Sequence, residues 1–105
     1  MANIRLEKLT EMLEKQPNDA FLHYAVAMEH LGLNNPNVAE EWFNKVLALE
    51  PKNIATHYQL GMILHQKGNE KGAITLLEKG ESLARANGDL KTANEFKSAI
   101  EEIIY

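Results

Sequence analysis

The chain has 105 residues, 45% of them hydrophobic, no cysteine and a formal net charge of −4. That length holds one domain with a thin core. The missing cysteine excludes a disulfide framework and any thiolate metal site. The acidic balance excludes sequence-independent nucleic-acid binding, which needs clustered Lys and Arg to release counterions.

The first helix is expected over Ile4 to Gln16, with Leu6, Leu9, Met12 and Leu13 at helical spacing on one stripe. Arg5, Glu7, Lys8, Glu11, Glu14 and Lys15 interrupt its apolar residues. No stretch is therefore long enough for a secretory leader or a membrane span, and a cytoplasmic location without membrane association is expected. Pro17 ends the helix, and Asp19 is placed to cap the next, Ala20 to Leu31. Gly32, Asn34 and Asn35 break that second helix. Asn35-Pro36 restarts the chain, with Asn expected to cap free N–H groups and Pro tolerated at the first helical position. The third helix then spans Pro36 to Leu49, burying Ala39, Trp42, Phe43, Val46 and Leu47. Pro51 closes it, Asn53 caps a fourth helix over Ile54 to Lys67, and Gly68-Asn69 makes the next turn. The fifth helix starts near Glu70 and carries Ile74, Leu77 and Leu83. It runs to about Asn87, with Gly88 in the left-handed region and Asp89 capping a sixth helix over Leu90 to Ile104. The apolar face of that last helix is Ala93, Phe96, Ile100 and Ile103.

A fixed step organises these elements. His23-Tyr24-x-x-x-Met28 recurs as His57-Tyr58-x-x-x-Met62, a shift of 34 residues. Pro17 and Pro51, Ala39 and Ala73, Lys45 and Lys79, and Leu49 and Leu83 keep the same step. Such a period marks stacked supersecondary units. By the same rule a proline is due where Arg85 stands, which is why the fifth helix is expected to run on. The small residues of the pattern have a physical reason, since a larger side chain where two helices cross closely would push the backbones apart.

In phase, the chain resembles the tetratricopeptide repeat family. His23, Val26-Ala27 and His30, then Ala39, Phe43, Val46 and Pro51, hold the family's large and small positions in one repeat. His57, Leu60-Gly61 and Leu64, then Ala73, Leu77 and Gly80, hold them in the next. The resemblance implies an all-α fold of about six helices, a short right-handed α-superhelix of antiparallel helix pairs. It implies one domain over residues 1–105: helix B of a half repeat (3–19), repeats over 20–53 and 54–87, and a C-terminal capping helix (88–105). Leu9, Met12, Leu13 and Pro17 align with Phe43, Val46, Leu47 and Pro51 in that half repeat. Three features depart from the pattern: histidines at His23, His30 and His57, Arg5 where a small residue is expected, and Gly80 within a helix. A helix-interior glycine costs about 1 kcal/mol relative to alanine.

The resemblance also implies a non-catalytic module that binds a protein or peptide in a concave groove lined by the first helix of each repeat. By position that groove presents Phe21, Tyr24, Met28, Tyr58, Gln59, Met62 and His65. Tyrosine offers area with a hydroxyl, and methionine repacks readily. The other reading of these residues is that they fill the core of a small domain. Some members of the family clamp chaperone C-terminal carboxylates with Lys and Asn, but the matching positions here hold Tyr24, Met28 and Gln59, so no such clamp is expected. Two further readings stand beside the binding module, namely self-association through the end helices, and one segment of a longer array.

No cofactor and no metal is expected. The histidines lack His-x-x-x-His or Glu-x-x-His spacing, so packing with each imidazole hydrogen-bonded is the expectation. No catalytic residue is assigned, because Ser82 and Ser98 have no paired base and no Gly-rich phosphate loop exists.

Overall fold

The structure is a computed structural model that describes residues 3–105, so residues 1 and 2 of the expected domain lie outside the described part. Six helices and no strand occur among the described residues: α1 (Ile4–Lys15), α2 (Ala20–Gly32), α3 (Pro36–Leu49), α4 (Ile54–Gln66), α5 (Glu70–Ala86) and α6 (Leu90–Ile104). The fold is an all-α helical repeat. The chain divides into two compact units, one reaching to Pro51 and the other running Lys52–Tyr105.

Local chemistry sets the helix ends. The side chains of Asn3, Asp19, Asn53, Asn69 and Asp89 accept the backbone N–H three residues on, at Leu6, Leu22, Thr56, Gly72 and Thr92. Each satisfies one of the orphan donors of a helix start. Asn35 does not do this, contrary to the expectation for Asn35-Pro36. What sets it apart from Asn69 and Asp89, which make the same backbone bond to the preceding helix and still cap, is the proline that follows: it restricts the Asn35 backbone, which lies at φ −114, ψ 68. Pro36 at the helix start also removes one donor that would need a cap.

Two kinds of stop occur. Pro17 and Pro51 follow the ends of α1 and α3. In contrast, α2, α4 and α5 end in Schellman turns, with backbone bonds Asn35 N–H to His30 O (2.9 Å), Asn69 N–H to Leu64 O (2.8 Å) and Asp89 N–H to Ala84 O (3.0 Å). The left-handed residue of each turn is Asn34 (φ 61), Gly68 (φ 87) or Gly88 (φ 74). Gly32, expected among the breakers, is the last residue of α2, and the reversal happens at Asn34 instead. With arginine at position 85, α5 runs on and closes at Gly88 as its sequence predicts.

In the first unit α2 packs on both α1 and α3. Ala20, Leu22, His23, Val26, Ala27, Ala39, Phe43 and Val46 are buried there. Trp42 and Leu47 of the expected α3 face are only half-buried. No residue of α1 is buried, and Met12 of its expected apolar stripe is 50% exposed. Within the unit it is α2 that packs on α1.

In the second unit α5 packs on both α4 and α6. Phe96, Ile63 and Leu77 are the largest apolar side chains sealed inside it. The small residues do what the repeat pattern requires. A Cβ on Gly61 of α4 would lie 2.7 Å from Leu77 Cδ2 on α5. A Cβ on Gly80 of α5 would strike the ring of Phe96 on α6. The helix penalty of Gly80 is therefore the cost of letting α6 approach.

Asp89 gives the structure a pH-dependent end. Hydrogen bonds from the Thr92 hydroxyl and then from the Thr92 backbone N–H hold its carboxyl below the ordinary carboxylate range, helped by Lys91. A carboxyl with a lowered folded-state pKa favours folding above its unfolded pKa, and that contribution is lost as pH falls through the folded value. The acid limb of a plot of Tm against pH should accordingly be shallower in Asp89→Asn, whose amide oxygen still caps but does not titrate. Superimposable limbs for the two proteins would refute this role.

Candidate protein-binding faces

The repeated His-Tyr-x-x-x-Met word splits by direction. His23 and His57 turn inward and are 8% and 1% exposed. Each Nδ1–H donates to the carbonyl of the residue capping its own helix, His23 to Asp19 at 2.9 Å and His57 to Asn53 at 2.8 Å. These bonds fix the Nδ1-protonated tautomer of both rings. The capping residue is thus engaged at both ends: its side chain accepts a backbone N–H, and its carbonyl accepts the imidazole. His23 also leans on Trp42, with ring centroids 5.5 Å apart, and Lys45 Nζ sits 4.1 Å over the Trp42 ring. His30 and His65 behave otherwise. The Nδ1 of each is buried without a hydrogen-bond partner, unlike the Nδ1 of His23 and His57. Both lie in the last turn of their helices. Among the described residues no group of three or more His, Asp or Glu side chains is arranged to hold a metal ion.

The tyrosines and methionines lie on the other side of α2 and α4. On α2, Phe21 is 75% exposed and Met28 38% exposed, with half-buried Tyr24 between them. The Tyr24 ring meets Phe43 of α3 edge-on at 5.5 Å. Together with Leu9, Ala25, Arg5, Lys8 and Glu29, these three residues line a cleft of about 500 Å³ between α1 and α2. Its rim is charged: Arg5 Nε lies 3.4 Å from Glu29 Oε1, and Asn3 donates to the same carboxylate at 3.3 Å.

On α4 the candidates are more enclosed. Tyr58 meets Phe96 of α6 edge-on at 5.5 Å. Met62 is half-buried against the cluster of Leu77, Phe96, Ala99 and Ile100. Gln59 and Tyr58 line a cleft of about 380 Å³ with Ile54, Ala55, Thr92 and Glu95. A second cleft of about 330 Å³ on the same α4–α6 seam is lined by Tyr58, Lys91, Asn94, Glu95, Ser98 and Glu102. His65 is half-buried and lines neither cleft. The cleft walls supplied by α1 and α6 lie outside the set read from sequence. The signal for α1 was the half repeat read over residues 3–19.

Residues 42–93 match one family model described as a tetratricopeptide repeat, and residues 22–53 match a second with the same description. A tetratricopeptide repeat domain protein from Salinibacter ruber is 30% identical, over 83% of this chain and 88% of that one, with a TM-score of 0.76. The chain belongs to the tetratricopeptide repeat family. Other solved structures share the tetratricopeptide fold at lower identity. A protein from Bordetella parapertussis is 21% identical over 99% of this chain and 90% of that one, with a TM-score of 0.84. The Type III secretion translocator chaperone SycD of Yersinia enterocolitica is 13% identical over 93% of this chain and 68% of that one, with a TM-score of 0.85. No curated protein matches the sequence. As a tetratricopeptide repeat chain, the molecule is a protein–protein interaction module. No described helix is long and apolar enough to cross a membrane.

Proposed function

We propose that the chain is a non-catalytic, cytoplasmic module that binds a peptide or a partner helix, with one candidate face on α2 in the first unit and another on α4 in the second. Phe21, Tyr24 and Met28 serve the first face, and Tyr58, Gln59, Met62 and His65 serve the second. The observation that carries this reading is the exposure of Phe21 and Met28 beside Tyr24 over an apolar cleft. A large aromatic left three-quarters exposed at such a cleft is an unspent anchor, since interface energy concentrates in a few aromatic and apolar residues. A net charge of −4 favours protein over nucleic acid as the partner.

The test is a phage-displayed peptide selection on the wild-type protein, followed by titration of the selected peptides. Phe21→Ala/Met28→Ala should weaken them at least about ten-fold, equivalent to about 1.4 kcal/mol, with the far-UV circular dichroism unchanged. Equal affinity for wild type and variant would remove the face on α2.

Self-association is a second reading, favoured by apolar residues on the end helices. Ile4 is 66% exposed on α1, and Leu90 and Ile104 are 60% and 56% exposed on α6.

A further inference from the structure

The turn between α5 and α6 differs chemically from the turns after α2 and α4. Asn87-Gly88 is the one Asn-Gly pair in the sequence, and Gly88 is the left-handed residue of that turn. Leu33-Asn34 and Lys67-Gly68 hold the same place after α2 and α4. The pair sits here because α5 runs past Arg85, where the repeat step would put a proline. In an Asn-Gly pair the glycine nitrogen can attack the preceding side-chain amide with no Cβ to crowd its approach. Both residues are exposed, so water reaches them.

The closed turn holds the reacting atoms apart. Asn87 lies at φ −84, ψ −1. At ψ near zero its own backbone nitrogen, not its Cβ, eclipses the nitrogen of Gly88. Closing a five-membered ring through Cβ and Cγ needs Cβ in that eclipsed place, so the peptide between Asn87 and Gly88 must turn far from its folded setting. The Gly88 N–H donates to Arg85 O at 3.0 Å, and that bond breaks when the peptide turns.

We infer that Asn87 is a site of spontaneous deamidation, closed while this turn is formed and open when it opens. The Gly88 nitrogen gives up its proton to solvent and bonds to Asn87 Cγ. The Cγ–Nδ2 bond breaks, and that nitrogen leaves as ammonia after taking up a proton. Water then opens the succinimide at Cγ to give an aspartyl residue, or at the main-chain carbonyl to give an isoaspartyl residue. No oxidant or metal enters the balance. Either product sets a carboxylate at the C-terminal end of α5, where the helix dipole disfavours it, two residues from Asp89. The isoaspartyl form also adds a methylene to the main chain inside the loop closed by Asp89 N–H and Ala84 O. The modified turn therefore holds α6 less firmly, and the change is not undone when the chain refolds.

The test incubates the full chain at mildly alkaline pH, in native buffer and in unfolding guanidinium chloride. Tryptic mapping by mass spectrometry then follows the amide-to-acid exchange in the peptide of residues 86–91. In the unfolded chain Asn87 should react before every other asparagine. In native buffer it should react at least about ten-fold more slowly, the factor being set by the free energy of opening the turn. Gly88→Asn should remove the lead of Asn87 in the unfolded chain with the far-UV circular dichroism of the folded variant unchanged, since asparagine already takes the left-handed conformation at Asn34. The modified fraction, separated by ion exchange, should melt below the unmodified chain. Another asparagine reacting first removes the site, and equal rates in the two media remove the gate. Identical melting of the two fractions overturns the effect on α6.

Discussion

Phe96→Ala is expected to cost about 3–5 kcal/mol, the range for deleting a fully buried phenylalanine. The ring is 1% exposed, shares a cluster with Leu77, Ala99 and Ile100, and meets Tyr58 edge-on. It also fills the space that Gly80 leaves open on α5. One side chain thus ties α6 to both other helices of its unit, and none of its neighbours is free to move into the hole, being packed themselves. A chain of this size has about 5–15 kcal/mol of total stability, so the loss is a large fraction of it. At roughly 4–8 °C per kcal/mol, the Tm should fall by more than about 12 °C. Thermal unfolding followed by circular dichroism measures this directly, and a fall below about 4 °C would mean that the ring is not sealed as described.

Gly80→Leu tests the same junction from the opposite side. In an exposed helix interior, replacing glycine would stabilise by about 1 kcal/mol. Here even the first added carbon runs into the Phe96 ring, so α5 and α6 must separate. The expected net effect is a loss of about 3 kcal/mol, the upper part of the usual overpacking range. Denaturant titration should show a lower midpoint than wild type. Adding Phe96→Leu to the same chain should recover part of the loss, because the smaller side chain returns room to the crossing. A Gly80→Leu protein as stable as wild type, or a double variant worse than the sum of the singles, would show that the two positions do not compete for one space.

The helix plan was legible because its determinants are local. Pro17, Pro51, Asp19, Asn53, Gly88 and Asp89 each act on the turn in which they stand, and the expected bounds of α3 and α6 match the observed ones. The small residues Gly61 and Gly80 were legible from repeat phase alone, and each meets a bulky partner on the neighbouring helix. The misreadings arose where one local signal competed with another. Asn35 resembles a cap, but the proline that follows restricts its backbone and its side chain accepts no helix N–H. Tertiary surroundings account for the rest. The repeat phase gives Tyr24 and Tyr58 equal standing, and each meets a ring edge-on and lines a cleft, but the cleft of Tyr24 is walled by α1 and those of Tyr58 by α6. Periodicity records which residues share a stripe; it does not record whether another helix lies over that stripe. For the same reason Arg5, Lys8 and Leu9 were read as one half repeat and not as a wall of a cleft.

Asn34 and Gly68 stand 34 residues apart, and both take the left-handed backbone conformation, at φ 61 and φ 87. The two turns share one geometry written in different letters, using the side chains that tolerate it at least cost. An alignment of residue names loses the register at this point; an alignment of torsion angles keeps it. What the chain duplicates is a path through conformational space, and the spelling is free to drift wherever a second residue can follow the same path.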